Sequence, residues 1–333
     1  MRAKYFESLP DKAVRCVLCP QFCEIADGGR GICGMRVNEK GTLTALGYGH
    51  AAAFAMDPIE KKPLYHWHPG SAILSTGGYG CNLTCSFCQN WHLSRNNSIG
   101  ESVTPSGLVS MAIAEGSTAI AYTYNEPLVN FEFLLDCAKA ARIAGLANVI
   151  VSNGFINSPP LSELQPFLDA ANIDLKGSDE FYKKLCTGRA TPVKEAIVGL
   201  HKAGIHVEVT YLVIPTQNDS DDDIAQTAKW ISSEVDPSIP LHFSAYFPSY
   251  RAKYPPTPFR TLEKARLLAL EYLKYVYVGN CPPGDWNDTM CPGCRSTLVS
   301  RRGYSVDMSG IANGHCAKCG HSCEFLHLQA SRQ

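Results

Sequence analysis

The chain has 333 residues, 45% of them apolar, and a formal net charge of −1, which suits one large α/β domain with appended modules or two medium domains. That balance supplies no basic field for a nucleic-acid partner and no polybasic tail. The N-terminal MRAKYFESLP lacks the apolar stretch of a signal peptide and no apolar run reaches membrane-spanning length, so a cytoplasmic protein without membrane or nucleic-acid partners is expected.

Three regions follow in chain order. Residues 1–70 carry a first cysteine cluster and many glycines, residues 71–280 alternate strand-like and helix-like segments, and residues 281–333 carry a last cysteine cluster with no long periodic segment. In the middle region, short apolar or β-branched runs punctuated by Gly, Asn or Pro predict strands at Ala72–Ser75, Thr118–Tyr122, Asn148–Ser152, Ala171–Leu175, His206–Ile214, Leu241–Ala245 and Tyr275–Val278. Helix starts lie between them. Thr104-Pro105 and Glu126-Pro127 each place Pro at a first helical position. Asp219 to Asp223 gives a cap and an acidic first turn ahead of Ile224, Ala228 and Ile231, and Thr261 precedes Leu262, Ala265, Leu268 and Ala269 at helical spacing. Alternating strands and helices imply a parallel sheet, because the right-handed crossover needs a helix. Six or seven such units predict an α/β barrel or partial barrel, whose chemistry sits at the C-terminal ends of its strands.

Cysteine usage departs from the ordinary. Of fifteen cysteines, twelve fall in three tight clusters, and in a reducing compartment such clusters read as metal ligands rather than disulfides. Lone Cys137, Cys186 and Cys281 read as small buried or half-buried residues. The first cluster, Cys16, Cys19, Cys23 and Cys33, could bind zinc or an iron–sulfur cluster. The second, Gly77-Gly-Tyr-Gly-Cys81-Asn-Leu-Thr-Cys85-Ser-Phe-Cys88, follows the first barrel strand directly. Three thiolates so close can hold three corners of an Fe–S cube and leave one iron without a protein ligand; zinc sites prefer paired C-x2-C knuckles. The third, Cys291-Pro-Gly-Cys294 and Cys316-Ala-Lys-Cys319, has two such knuckles 21 residues apart and reads as a zinc ribbon or a rubredoxin-like iron site, with His315, His321 and Cys323 as spare ligands.

The C-x3-C-x2-C spacing with Phe87 before its last cysteine resembles the signature of the radical S-adenosylmethionine superfamily. The resemblance implies a partial (β/α)6 TIM-like barrel, here with small Cys-rich N- and C-terminal modules, and a [4Fe–4S] cluster on Cys81, Cys85 and Cys88. It also implies reductive cleavage of S-adenosylmethionine to methionine and a 5′-deoxyadenosyl radical, with electrons from a reduced ferredoxin- or flavodoxin-type donor. Tyr122-Thr-Tyr-Asn125-Glu126-Pro127 stands where much of the superfamily has Gly-Gly-Glu-Pro, so Asn125 and Glu126 are expected to meet the methionyl amino group. Ser152-Asn153-Gly154 is similar to the Thr-Asn-Gly of glycyl-radical activating enzymes, and Asp174-Leu-Lys176 to their Asp-x-Lys. His242 is similar to a late-strand histidine near their cofactor; Ser152, Asn153, Asp174 and His242 thereby become expected cofactor contacts. Together with Asp57-Pro-Ile-Glu-Lys-Lys-Pro-Leu-Tyr-His66 and the terminal knuckles, these motifs look like the radical enzyme of the AmmeMemoRadiSam system, a subgroup similar to pyruvate formate-lyase activating enzyme. A protein or peptide substrate is expected by that analogy, with the same chemistry on a small molecule, or a non-catalytic Fe–S or zinc protein, as rivals.

Overall fold

Apolar runs such as Ala119-Ile-Ala-Tyr122 can be buried on both faces, as a parallel sheet covered by helices requires. In the computed structural model, which describes residues 1–96 and 98–328, such runs supply an eight-strand, predominantly parallel sheet. The final five residues of the expected C-terminal region lie outside the described residues. The architecture is α/β, a partial (β/α)6 barrel with a Cys-rich C-terminal element. Each of the seven expected strands is present within two residues of its expected bounds. The chain divides into two compact units, a division that differs from the three regions read from composition. Residues 1–57, 73–206 and 249–253 form one, and residues 58–72, 207–248 and 254 onward the other.

The first unit begins with a small antiparallel sheet of β1 (Phe6–Ser8), β2 (Val14–Cys16) and β3 (Glu24–Ile25) and a hairpin of β4 (Arg36–Glu39) and β5 (Thr42–Ala45). Then come β6 (His50–Ala51), β7 (Ala53–Pro58), β8 (Ala72–Gly77), β9 (Glu101–Ser102), β10 (Ala119–Tyr122), β11 (Ala147–Ser152) and β12 (Ala170–Asp174). β8, β10, β11 and β12 are parallel neighbours. The connecting helices are α1 (Trp91–Ser94), α2 (Pro105–Ala114), α3 (Phe131–Ile143), α4 (Ser158–Leu164), α5 (Asp179–Leu185) and α6 (Ala190–Lys202). Thr104 caps α2, accepting the Gly107 N–H at 3.0 Å. Helix α3 buries Phe131, Leu134, Leu135, Cys137, Ala138 and Ala141, so lone Cys137 is a core residue.

The second unit holds β13 (His206–Val213), β14 (Leu241–Ala245) and β15 (Val276–Gly279), all parallel, with α7 (Asp221–Glu234) and α8 (Phe259–Ala269). Within the expected segment Ser220 caps α7 by accepting the Asp223 N–H at 3.1 Å, while Asp219 accepts from Thr216 N. Helix α8 begins before Thr261, at Phe259 behind Pro258. Short strands β16 (Thr289–Met290), β17 (Thr297–Arg302), β18 (Ser305–Asp307), β19 (Ile311–Ala312) and β20 (His315–Cys316) complete it. Among the described residues, no helix is long and apolar enough to cross a membrane.

Candidate functional site

Three parallel strands of the first unit end in polar residues that converge on the central cysteine loop. The loop leaves β8 at Gly77 and turns at Gly80, whose φ of +87° and close approach leave no room for a side chain: a Cβ there would lie 2.4 Å from the Cys33 carbonyl oxygen. Asn125 holds the turn from behind. Its Oδ1 accepts the Gly78 N–H at 2.9 Å and its Nδ2 donates to the Gly80 carbonyl at 3.0 Å. Arg95 closes the other side, donating to the carbonyls of Cys81 (2.6 Å) and Leu83 (2.7 Å). Ser249 donates to the Cys88 carbonyl, and the amides of Arg251 and Ala252 to that of Ser86.

Cys81, Cys85 and Cys88 are close enough to repel one another as thiolates. Burial raises the pKa of Cys81 and Cys88; a bond to the Cys186 thiol, then burial, raises that of Cys85. The Cys81 sulfur accepts from Leu83 N at 3.4 Å and Asn153 Nδ2 at 3.5 Å, and the Ser94 hydroxyl lies 3.7 Å from the Cys88 sulfur. Half-buried thiols that disfavour the anion on their own, yet sit among N–H and O–H donors, fit a bound cation that would hold them as thiolates. The donor set therefore fits an iron–sulfur cluster.

Glu126 organises the second part of the site. It is 2% exposed, and its carboxylate accepts from Ser152 Oγ and Asn153 N, each at 2.8 Å, and from Leu128 N at 3.0 Å. Burial outweighs these bonds and, with Asp174 nearby, its pKa is pushed up to about 7. Asn153 in turn donates to Asn82 Oδ1 at 2.9 Å. Glu126, Ser152 and Asn153, three separate expectations from sequence, thus form one network beside Cys81. Asp174 ends β12 and pairs with Lys176 at 2.7 Å; desolvation works to lower the pKa of half-buried Lys176, yet Asp174 and Cys85 hold it well above its ordinary value.

His242 is placed elsewhere. It is the second residue of β14, in the second unit, and its Nε2 lies 2.5 Å from Glu208 Oε2. Glu208 also accepts the His66 amide at 2.7 Å, and the His66 Nε2 lies 2.6 Å from the Tyr277 hydroxyl. His242 is thus buried and paired near the start of its strand. Sequence reasoning missed Arg95, Asn82 and the role of Cys186. Each acts through a partner distant in sequence, and only the C-x3-C-x2-C motif pointed toward them.

In the C-terminal element, Cys291, Cys294, Cys316 and Cys319 gather their sulfurs within 4.8 Å of one another. The Cys291–Cys319 and Cys294–Cys316 separations are 3.6 and 3.7 Å. A tetrahedral ion with metal–sulfur bonds of about 2.3 Å has edges of about 3.8 Å, so the four fit one ion, zinc or iron. Cys323 packs in the apolar core with Leu298, Val299 and Leu326, and His315 bonds the Asn313 carbonyl; neither joins the set.

A parallel α/β sheet with a three-cysteine loop after its first barrel strand defines a class of iron–sulfur protein that opens one iron to a small ligand. A family profile described as the radical SAM superfamily matches residues 76–231. The uncharacterized protein MJ0808 of Methanocaldococcus jannaschii is 41% identical over 331 residues, which cover 97% of this chain and 99% of that one. The pyruvate formate-lyase-activating enzyme of Clostridium pasteurianum is 23% identical over 164 residues, 46% of this chain and 67% of that one. A radical SAM methyltransferase from Sphaerobacter thermophilus shares the fold with a TM-score of 0.51 at 16% identity, across 63% of this chain and 67% of that one. The chain belongs to the radical SAM superfamily. That family implies a [4Fe–4S] cluster and S-adenosylmethionine.

Proposed function

We propose that this chain reductively cleaves S-adenosylmethionine and abstracts a hydrogen atom from a protein or peptide, in the manner of an activating enzyme. The observation that carries the reading is the convergence of Cys81, Cys85 and Cys88 with the Glu126–Ser152–Asn153 network at the ends of β8, β10 and β11. A cluster bound there supplies one electron to the chelated sulfonium. The residues do the rest. Cys81, Cys85 and Cys88 hold three irons. Glu126, its pKa raised by burial, favours a cation beside it and serves the methionyl ammonium. Asn125 and Arg95 keep the loop rigid so that the sulfonium and cluster stay in register. Asp174 is the further candidate contact.

Two features support a polymer substrate. The activating-enzyme relative acts, by its name, on a protein. Trp91, 46% exposed, stacks on Tyr250 at 5.5 Å, with the Arg251 guanidinium over the Tyr250 ring; this aromatic and cationic lip begins three residues past Cys88 and suits a peptide. The electron donor is a reduced ferredoxin- or flavodoxin-type protein, and a zinc ion fills the C-terminal ribbon.

Anaerobically reconstituted protein with strong reductant is expected to convert S-adenosylmethionine slowly to 5′-deoxyadenosine and methionine without substrate. Methylthioadenosine or a methylated product in its place overturns the activating-enzyme reading. Cys186→Ala sharpens the test, because Cys186 is the buried thiol whose proximity raises the pKa of Cys85. The variant is expected to keep its iron and its cleavage. Loss of the cluster would make Cys186 a fourth ligand and the protein an electron carrier.

A further inference from the structure

We propose that Cys16, Cys19, Cys23 and Cys33 hold a second iron–sulfur cluster, which passes single electrons to the centre at Cys81, Cys85 and Cys88. The four thiols line one small cavity together with Arg36 and Asn82. Burial raises the pKa of Cys16, Cys19 and Cys33, and the backbone two residues on, at Leu18, Gln21 and Met35, works to lower it again. Leu83 does the same for Cys81. This is how a chain supports thiolates as metal ligands.

Spacing separates a cluster from a single ion. Among the described residues, only the C-terminal set brings all its ligand atoms within 4.8 Å. The N-terminal four share a cavity but not that tight tetrahedron, and the central three share this looseness. Several irons with bridging sulfides hold their thiolates further apart than one tetrahedral ion does. Arg36 supplies a second observation. It is 1% exposed, and its two terminal nitrogens donate to Glu132 at 3.0 and 2.8 Å. Its Nε has no hydrogen-bond partner among the described residues. A buried N–H on a guanidinium that lines the cavity costs stability unless an acceptor fills it. A bridging sulfide is such an acceptor.

The path to the centre is short and lies within one unit. The Cys33 carbonyl packs against Gly80, the residue before Cys81. Asn82 lines the N-terminal cavity and accepts from Asn153 Nδ2, the same amide that lies 3.5 Å from the Cys81 sulfur. Gln21 ties the two loops by donating to the Asn82 carbonyl at 2.8 Å. In the step itself, the reduced second cluster loses one electron and the oxidised central cluster gains it. No proton moves, and the electron enters from a reduced flavodoxin- or ferredoxin-class protein. The relay rests on the proposed central cluster; the second site does not.

The test is the metal and acid-labile sulfide content of reconstituted full-length chain. Wild type is expected to hold about eight labile sulfides, and the variant with Cys81, Cys85 and Cys88 all changed to Ala about four, with a reduced-state electron paramagnetic resonance signal of its own. No labile sulfide in the triple variant, with two zinc ions per chain, overturns the second cluster. Equal sulfide of about four in both proteins supports the second cluster and sinks the central one, so the two readings fail separately. For the relay, Cys33→Ser, or half-buried Cys19→Ser where the first does not fold, is expected to slow reduction of the central cluster by reduced flavodoxin at least tenfold in freeze-quench spectra. An unchanged rate overturns the relay.

Discussion

The two units place their buried and half-buried polar groups at opposite ends of their own strands. In the first, Glu126 follows β10, Ser152 closes β11 and Asp174 closes β12. In the second, Glu208, His242 and Tyr277 lie within the first three residues of β13, β14 and β15. The second cluster continues into Tyr65, Thr289 and Arg301, whose guanidinium packs 4.3 Å over the Tyr65 ring and donates to the Tyr65 carbonyl at 2.7 Å. Parallel α/β barrels carry chemistry at the C-terminal ends of their strands and stability at the N-terminal ends. On the proposed reading, similar residue types, a buried carboxylate with polar partners, would serve different ends according to where on a strand they stand.

Substitution at each end tests that contrast, and the largest effect belongs to the first unit. Cys88→Ala is expected to abolish 5′-deoxyadenosine formation and remove the central cluster's absorbance while thermal unfolding barely moves. Glu208→Ala should do the reverse. It leaves the His66 amide and the His242 ring without their acceptor, each buried orphan costing about 1–3 kcal/mol. Calorimetry should show a lower Tm, while iron content and cleavage per folded chain persist. Cleavage lost without any fall in Tm would break the comparison and return His242 to the cofactor contacts.

A middle-sized effect is expected at Glu126. Glu126→Gln keeps one acceptor oxygen but loses the charge, and charge-assisted hydrogen bonds contribute about 1.5–3 kcal/mol. The S-adenosylmethionine concentration for half-maximal cleavage should rise about ten- to a hundredfold, with a smaller change in rate at saturation. A fall in Tm with unchanged half-saturation would make Glu126 a structural cap to Ser152 and Leu128, the counterpart of Glu208.

What the sequence revealed follows from how local each signal is. The strands from Ala72 to Val278 were legible because each is a short apolar run with turn residues at its ends. The loop carrying Cys81, Cys85 and Cys88 was legible because its C-x3-C-x2-C spacing is contiguous in sequence and follows the first barrel strand. Glu126 was found from its Glu-Pro dipeptide, but its bonds to Ser152 and Asn153 join residues 26 and 27 positions apart, which only strand register brings together. The His242–Glu208 pair was hidden for the same reason, because its partners lie on two different strands. Lone Cys186 is buried, as its isolation in the sequence suggested. The Arg36–Glu132 pair, buried at 2.8 Å, was invisible because it links the N-terminal hairpin to α3.

The smallest effect concerns Asp179, just past the end of β12, a carboxylate on the chemical side of its strand that is expected to matter for stability alone. Its Oδ1 accepts the Ala190 amide at 2.5 Å and the Thr191 amide at 3.2 Å, and its Oδ2 the Thr191 hydroxyl at 3.1 Å. Helix α6 has no side-chain cap of its own at Arg189, so Asp179 satisfies its first free N–H groups from across the loop. Partial burial works to raise the carboxyl's pKa, but the Thr191 and Ala190 bonds outweigh it and hold the value below the ordinary aspartate range. A folded-state pKa below the unfolded one gives stability that is present in full at neutral pH and lost as pH falls through the acid range. Asp179→Ala should therefore cost about 1 kcal/mol at pH 7 by denaturant titration. The difference from wild type should shrink toward zero below the aspartate range, and cleavage should stay unchanged throughout. A loss of cleavage at neutral pH with full stability would show that position past a strand's end, and not contact with the cysteine loop, is what makes a carboxylate functional here.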